Sequence, residues 1–394
     1  MRRRLPKTVY LLGLASFLND ASSDIIYPLL PIFLSTTIGA GPAVIGLIEG
    51  AADAISSVLK LLAGSWSDRT GKRKPFVVGG YGLAGLSRLL LAFASHWGVV
   101  FGARLADRTG KGIRSAPRDA MIVDVTDPSQ RGRAFGFHRA FDHLGAVAGP
   151  LIAAALLAIG LSFRHIFLIA VIPTAAGVLL LTLVLREPPR PPASAALPIL
   201  SGKTPAGLRS ALFPIALFSL ANASDMFLIL QAYRSGISAA VIPLLWAANH
   251  AVKALLSTWA GDLSDRRGRG LLLISGWALY AVIYAAFPFA TSLPAFIFLF
   301  VAYAIPLAMT EGTERAWVAE SLPKEGRGKG FGLYYLVSGL ATLGGSLLFG
   351  ALFQEVAPAA AFFTAAALAM AAALVTLMME RGKRRSTKNE PEGA

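Results

Sequence analysis

Long apolar runs alternate with short polar segments along the whole chain. Runs of about 20 apolar residues, enough to cross roughly 30 Å of hydrocarbon as a helix, recur from one end to the other. Marking each run between charged residues or Pro and Gly predicts twelve membrane-spanning helices. They begin at about residues 8, 43, 76, 97, 134, 165, 211, 238, 271, 293, 330 and 357. The pattern therefore predicts an all-α membrane protein without a separate soluble domain.

Composition excludes a soluble protein. Of the 394 residues, 55% are hydrophobic and only 15% are charged, and the mean hydropathy is +0.60. The formal net charge of +15 lies in short segments between the apolar runs rather than on one amphipathic face, which argues against nucleic acid as a partner. The absence of cysteine excludes disulfides, thiolate metal sites and cysteine nucleophiles. The expected partners are a lipid bilayer and a small-molecule or ion substrate, and we expect a monomer.

Lys and Arg fall in every second connection between the predicted helices, from Arg2 to Lys7 through to Arg381 to Lys388. Excess Lys and Arg mark the cytoplasmic side of a membrane protein. The first apolar run is too long for the core of a signal peptide and is predicted to stay as the first helix. We therefore expect a multi-pass protein of a bacterial-type inner membrane with both termini in the cytoplasm.

The two halves of the chain carry related segments. Asp68-Arg69 in the segment 63–69 matches Asp265-Arg266 in 260–266, an offset of 265 − 68 = 197, and the segments 131–136 and 327–332 match at an offset of 196. A Pro-rich stretch lies between the halves. An even number of helices per copy implies a parallel repeat about an axis along the membrane normal, with a cavity between the halves. The predicted organisation is residues 1–187 as an N-terminal six-helix bundle, 188–210 as a cytoplasmic linker, 211–380 as a C-terminal six-helix bundle and 381–394 as a cytoplasmic tail.

Three motifs resemble those of the major facilitator superfamily, and the resemblance covers essentially the full chain. The first is the segment 64–74, which looks like motif A of that family and has a degenerate second copy at 261–269. An Asp followed by a basic turn can close the cytoplasmic side through breakable charge contacts, whereas topology alone requires only Lys and Arg. The gate residues implied are Gly64, Asp68, Arg69, Gly71, Arg73, Asp265 and Arg266.

The second motif, at 108–112, resembles motif B, although Lys111 replaces the usual neutral residue and Arg114 adds a further charge. Arg108 either has a cavity or coupling role or makes a structural ion pair. The third, Gly145, Gly149 and Pro150, resembles motif C, which the family associates with antiporters, so the resemblance implies export. The structural alternative is a seam of close helix packing, and both interpretations can hold together.

Carboxylates inside apolar helices are candidates for proton coupling, because each must be paired, hydrated or neutral at that depth. The candidates are Asp20, Asp24, Asp225 and Glu314. Asp20 and Asp24 lie four residues apart on one helix face, so repulsion and burial favour the protonated form of at least one of them, which suits a proton carrier. For Asp24 the alternative is a structural ion pair with a cation of the fourth or fifth predicted helix.

Other polar residues in the predicted helices are candidates to line a substrate cavity. His138 and Asp142 share a helix face and could relay protons, bind a metal or an anion, or form a structural pair. Glu311 could pair internally with Arg315, or Arg315 could belong to a gate. The full set of cavity candidates is Asn19, Arg108, Lys111, His138, Asp142, His143, Asn222, Asn249, His250, Lys253 and Glu311.

The sequence contains no Walker A, G-x-S-x-G or H-E-x-x-H pattern, so an ATP-driven pump or a hydrolase has little support. No enzyme activity and no cofactor are predicted, and protons are the expected coupling ion. The leading hypothesis is a secondary active transporter that exports a small polar, charged or metal-chelating solute in exchange for protons by alternating access. The alternatives are a multidrug exporter, a metal-ion carrier, or a membrane sensor that does not transport.

Overall fold

The computed structural model describes residues 5–126, 131–187, 206–290, 292–321 and 327–388. Helices dominate this part of the chain: fifteen α-helices and one 3-10 turn at Phe287–Phe289 occur among the described residues, with no strand. The helices are α1 Lys7–Ile26, α2 Leu30–Thr36, α3 Pro42–Thr70, α4 Lys74–Ala92, α5 Trp97–Val125, α6 Arg131–Ala158, α7 Phe163–Val184, α8 Ala206–Ala221, α9 Met226–Arg234, α10 Ile242–Arg267, α11 Arg269–Ala286, α12 Leu293–Ala302, α13 Ala304–Glu320, α14 Arg327–Glu355 and α15 Pro358–Lys388. The prediction of an all-α protein is confirmed.

Fifteen helices correspond to twelve predicted spans because the first, seventh and tenth spans are each divided in two. Pro28, which has no backbone N–H, lies in the turn between α1 and α2. The break between α8 and α9 contains Asn222, whose side-chain oxygen accepts hydrogen bonds from Tyr280 Oη at 3.5 Å and Tyr303 Oη at 3.3 Å. These hydroxyl groups satisfy a polar side chain at a point where the helix is interrupted.

Nine helical segments in the described part of the chain are long and apolar enough to cross a membrane. The three predicted spans outside this set are α1 with α2, α5 and α10. Asp20 and Asp24 lie on α1, and a series of Arg and Lys residues lies on α5. The least apolar spans are therefore those that carry most of the candidate site.

The described residues form two compact units. Unit 1 holds those within Met1–Ile199 and Ser224–Ala251, and unit 2 holds those within Leu200–Ala223 and Val252–Ala394. The predicted linker falls mostly outside the described residues, as does the end of the predicted tail, and the predicted division at these points stays a prediction.

Within unit 1, α1 packs on α6 and α7, and α4 packs on α5 and α7. Within unit 2, α8 packs on α14 and α15, and α11 packs on α13 and α15. Each pair in the second set is the repeat equivalent of a pair in the first, because α8 and α11 stand for the seventh and ninth spans. The two bundles therefore use the same internal arrangement.

Glycines at equivalent positions of the repeat have positive φ angles in equivalent turns. Gly39 and Gly236 have positive φ angles of 74° and 88°, at an offset of 236 − 39 = 197. Gly71 and Gly268 also have positive φ angles, 65° and 92°, and 268 − 71 is again 197. The two pairs form the turns after the first and second spans of each half, where a left-handed backbone favours residues without a Cβ.

Candidate functional site: a buried ion-pair network

A buried bidentate ion pair joins α3 and α5 within unit 1. Arg104 Nε lies 2.6 Å from Glu49 Oε1, and Arg104 Nη2 lies 2.8 Å from Glu49 Oε2. The side chains of Arg104 and Glu49 are only 5% and 1% exposed. Two parallel hydrogen bonds between planar groups are the strongest geometry for such a pair, and burial makes both partners necessary.

Further ion pairs extend this network to α4 and along α5. Asp107 forms ion pairs with two arginines: Arg104 Nη1 lies 3.4 Å from Asp107 Oδ2, and Arg88 Nη2 lies 3.7 Å from Asp107 Oδ1. Arg108 Nε lies 3.2 Å from Asp53 Oδ1. Arg108 therefore makes the ion pair that was one of its two predicted roles, and a coupling role stays a prediction.

Asp24 has a different environment from the other carboxylates in unit 1. Its Oδ1 accepts a hydrogen bond from Trp246 Nε1 at 3.1 Å, and the Trp246 ring packs on Tyr27 with centroids 5.1 Å apart. Among the described side chains, no Lys or Arg forms an ion pair with Asp24, whereas Glu49, Asp53 and Asp107 all have one. A neutral donor thus takes the place that guanidinium groups have elsewhere in the network.

Asn19 links Asp20 to α4. Its Nδ2 donates to Asp20 Oδ1 at 3.0 Å, and its Oδ1 accepts from Arg88 Nη2 at 3.0 Å. Arg88 Nη1 also donates to Ser22 Oγ at 2.9 Å and to the Thr174 hydroxyl. Hydrogen bonds to α1 and α7 therefore satisfy a buried guanidinium, and the Asp107 carboxylate of α5 adds an ion pair.

His138 and Asp142 form a second polar cluster where α6 packs on α1. His138 Nδ1 lies 3.4 Å from Asp142 Oδ2, and Ser16 Oγ donates to Asp142 Oδ1 at 2.5 Å. Arg118 Nη1 approaches Ser16 Oγ at 3.5 Å. The structure confirms that His138 and Asp142 are neighbours and leaves the three predicted roles untested. Within the described residues, no three His, Cys, Asp or Glu side chains are grouped in a way that could hold a metal ion.

Unit 2 contains one buried carboxylate in a comparable setting. Glu314 is 8% exposed, and it accepts hydrogen bonds from Trp277 Nε1 at 3.3 Å and from Tyr334 Oη at 3.3 Å. Both donors are neutral. Glu311, one turn earlier on α13, is exposed. Glu314 therefore resembles Asp24 in accepting from an indole N–H.

The turn between α3 and α4, which belongs to the predicted gate, is tied to two other elements of unit 1. Arg73 is 4% exposed, and its Nη1 lies 2.8 Å from Asp124 Oδ2 near the end of α5. The Glu187 carboxylate accepts the backbone N–H groups of Arg73 and Lys74 at the start of α4, where an anion complements the helix dipole. Lys74 Nζ in turn donates to the Leu185 carbonyl at 2.7 Å.

Three other predicted gate residues, Arg69, Arg266 and Gly64, show no contact of this kind among the described residues. Arg69 and Arg266 are exposed, and a Cβ added at Gly64 would lie 3.4 Å from Ala116 Cβ. The side chains of Asp68 and Asp265 lie outside the described residues. The gate therefore stays a prediction.

The motif C glycines bring α6 against α1. A Cβ added at Gly145 would lie 2.6 Å from the Phe17 carbonyl oxygen, and one added at Gly149 would overlap the Ala21 carbonyl oxygen. Pro150 follows inside α6. In unit 2, a Cβ added at Gly345, which lies 345 − 149 = 196 residues later, would overlap the Leu220 carbonyl oxygen between α14 and α8. The packing seam is present, and the export role implied by the motif stays a prediction.

The remaining candidates lie on α6, α9 and α10. His143 is half-buried on α6, and Asp225 is the residue that directly precedes α9. Asn249 on α10 is fully buried, and the neighbouring His250 ring packs on Trp246 with centroids 4.9 Å apart. Lys253 follows one turn later on α10 and is half-buried.

Glu49, Asp53 and Arg88 are parts of the network that the sequence analysis did not single out. Glu49 and Arg88 each interrupt an apolar run on a predicted span, so the rule that ionisable residues within a span are functional or paired could have found them. Their partners could not be read in the same way, because Glu49 and Arg104 are 55 residues apart in the chain.

The repeated bundles and their buried ion pairs define a multi-pass membrane protein of the transporter class. A model of the Major Facilitator Superfamily matches residues 12–235 and 212–394. The chain belongs to the Major Facilitator Superfamily and is a transporter rather than an enzyme.

Individual relatives agree with this assignment. An uncharacterized MFS-type transporter of Methanocaldococcus jannaschii is 36% identical over 385 residues, which cover 96% of each chain. The multidrug resistance protein MdtH of Photorhabdus laumondii is 29% identical over 160 residues, 41% of this chain and 38% of its own. A crystal structure of a bacterial homologue of the human lysosomal transporter Spinster has a TM-score of 0.76 at 17% identity and covers 95% of this chain and 96% of that one.

Proposed function

We propose that the protein is a proton-coupled exporter of a small polar or charged solute, and that Asp24 is the group that binds and releases the coupling proton. The observation that supports this proposal is the pairing of Asp24 with Trp246 Nε1 at 3.1 Å instead of with a cation. A carboxylate held by a neutral donor can change its charge without breaking an ion pair, whereas Glu49 cannot.

The charged interior of unit 1 favours a polar solute. Arg88, Arg104 and Asp107 are at most 6% exposed and lie on spans where a purely apolar lining would be less costly. Export into the extracytoplasmic space in exchange for protons follows from the motif C resemblance at Gly145 to Pro150. A multidrug exporter is the second candidate, favoured by the partial likeness to MdtH over 41% of this chain.

The test begins with a substrate. Thermal unfolding of the detergent-purified protein is screened against organic anions, zwitterions, metal ions and drugs, because a specific binder stabilises the folded state. Proteoliposomes with an imposed pH gradient and an internal pH dye then report proton movement when the binder is added. Two assays separate coupling from transport: gradient-driven accumulation and exchange of solute across the membrane without a gradient.

Asp24→Asn is expected to lose gradient-driven accumulation and to keep exchange, because the amide cannot carry a proton but preserves the side-chain shape. Glu355→Gln is the matched control, since it removes an exposed carboxylate at the end of α14 and is expected to keep both activities. Unchanged proton movement in Asp24→Asn would remove Asp24 from the coupling role. If Glu314→Gln instead loses gradient-driven accumulation, the coupling proton is bound by Glu314 in unit 2.

A further inference from the structure

Five cations on α5 lie on one side of the helix. Arg104, Arg108, Lys111, Arg114 and Arg118 follow one another at steps of three or four residues. At 3.6 residues per turn these positions fall within about a third of the helix circumference. Three of the five have carboxylate partners: Arg104 pairs with Glu49, Arg108 with Asp53, and Arg118 with Asp119 at 2.9 Å.

Lys111 and Arg114 differ from the other three. Arg114 is 5% exposed, yet its Nε and Nη1 atoms are buried without a hydrogen-bond partner among the described residues. Its guanidinium carbon lies 4.5 Å from the centre of the Tyr81 ring, which fixes the group by a cation–π contact but uses none of its N–H donors. Buried donors without an acceptor are costly, so an acceptor from outside the protein would gain by binding there.

Lys111 is exposed although the residues on either side of it are packed. Gly110 lies against the Gly80 carbonyl of α4, and a Cβ added at Gly112 would lie 3.0 Å from the Ser56 carbonyl oxygen of α3. The Lys111 ammonium has no ion-pair partner among the described side chains. Within its electrostatic range lie the cations Arg108 and Arg114 and the carboxylates Asp20 and Asp53. The Lys111 side chain is thus accessible from outside unit 1 although its neighbours on α5 are packed.

The charges near this pair leave room for one anion. Asp20 interacts electrostatically with both Lys111 and Arg114, and its Oδ1 already accepts from Asn19. Asp107, a second carboxylate within range of Arg114, is held by Arg88 and Arg104. Asp24 also lies within electrostatic range of Lys111, whereas Asp53 is held by Arg108. While Asp24 is protonated, Lys111 and Arg114 beside an ionised Asp20 retain an excess of one positive charge.

We propose that Lys111 and Arg114 form an anion subsite that binds a carboxylate or phosphate group of the transported solute. The proposal rests on the proposed transport function and specifies its substrate class. Charge-assisted hydrogen bonds from a guanidinium and an ammonium are the usual way to hold such groups.

The experiment measures binding without any gradient, so that it does not depend on proton coupling. Full-length protein is purified in a non-ionic detergent, and its thermal midpoint is followed against inorganic phosphate and succinate at constant ionic strength. The midpoint is expected to rise with either probe, and Lys111→Gln is expected to require at least about tenfold more probe for the same rise. Arg114→Lys keeps the charge and is expected to weaken binding as well, because the planar fork is lost.

Lys7→Gln is the matched control, since Lys7 is an exposed lysine at the start of α1 and its loss is expected to change nothing. Equal responses of wild type and Lys111→Gln, or no response to either probe, would overturn the subsite. If phosphatidylglycerol in the micelle stabilises the protein through Lys111 while the small anions do not, the site holds a lipid headgroup and the solute assignment is overturned. If Asp24→Asn keeps both anion binding and proton coupling, the result contradicts the proposed function, because Asp24 would not carry the proton. The anion subsite would be unaffected by that result.

Discussion

The indole Nε1 of Trp246 donates a 3.1 Å hydrogen bond to Oδ1 of Asp24, joining two residues that are 222 positions apart in the chain. Both belong to the same compact unit, because the segment Ser224–Ala251 groups with the first six spans. The contact makes the first part of α10 a direct neighbour of the carboxylate proposed to carry the proton.

A double-mutant cycle on this contact provides the first prediction. Asp24→Leu, Trp246→Phe and the double variant are expected to show a coupling energy of about 1.5–3 kcal/mol at alkaline pH, the range for a hydrogen bond to a charged group. Leu is used because an Asn side chain would still accept the indole N–H. The free energies of unfolding are measured by denaturant titration in mixed micelles. Trp97→Phe replaces Trp246→Phe in the control cycle, where additivity is expected; additivity in the Trp246 cycle as well would contradict the contact.

The second prediction concerns the Glu49–Arg104 pair. Glu49→Gln leaves a guanidinium at 5% exposure with a weaker partner, and the expected loss of stability is about 3–5 kcal/mol, the cost of breaking a buried ion pair. Glu320→Gln is the control: Glu320 pairs with Arg269 at 2.8 Å but is 58% exposed. Its loss is expected to cost at most about 1 kcal/mol. Similar losses for the two variants would show that burial does not set the strength of the Glu49 pair.

The third prediction concerns the seam between α1 and α6. Gly149→Ala places a methyl group against the Ala21 carbonyl oxygen, so the helices must separate, and overpacking of this kind costs about 1–3 kcal/mol. Gly102→Ala on α5 meets no atom within 4 Å and is expected to be neutral or stabilising by up to about 1 kcal/mol. The thermal midpoint of each purified variant is the measurement. A midpoint for Gly149→Ala equal to that of the wild type would rule out close contact at this seam.

Hydropathy predicted the helices well for a physical reason. Every span must bury its backbone polar groups in hydrocarbon, so its apolar run has to match the helix along the chain. The predicted starts of the twelve spans lie within five residues of the observed helix starts. The internal breaks at Pro28 and Asn222 were not predicted. Pro28 is a local signal that the hydropathy pattern does not register, whereas the side chains of Tyr280 and Tyr303, which satisfy Asn222, lie far along the chain.

The sequence predicted several residues of the candidate site but not which residues contact one another. Asp24, Arg108 and Asp142 stood out because charge is expensive within a span. Whether each finds a cation, a neutral donor or no partner depends on which helix faces it. Arg108 meets Asp53, whereas Asp24 meets an indole, and no local pattern distinguishes these outcomes.

The fourth prediction concerns the paired left-handed glycines. Gly71 and Gly268 end the second and eighth spans with φ angles of 65° and 92°. A residue with a Cβ in the left-handed helical region costs about 1–2 kcal/mol, and Gly268, with a ψ of 139°, lies in a region still less open to such residues. Gly71→Ala and Gly268→Ala are therefore each expected to lower the thermal midpoint. Gly71→Asn is expected to be milder than Gly71→Ala, because Asn tolerates a φ near 65° by local hydrogen bonding.

Gly79→Ala inside α4 is the control for these turns, since its added methyl group meets nothing within 4 Å. It is expected to keep or raise the midpoint, because Ala restricts the unfolded chain more than Gly does. The two turn glycines come from equivalent positions of the repeat, so their substitutions are expected to act in the same direction. A neutral effect of Gly268→Ala beside a loss for Gly71→Ala would mean that the two turns, although related in sequence, differ in backbone conformation.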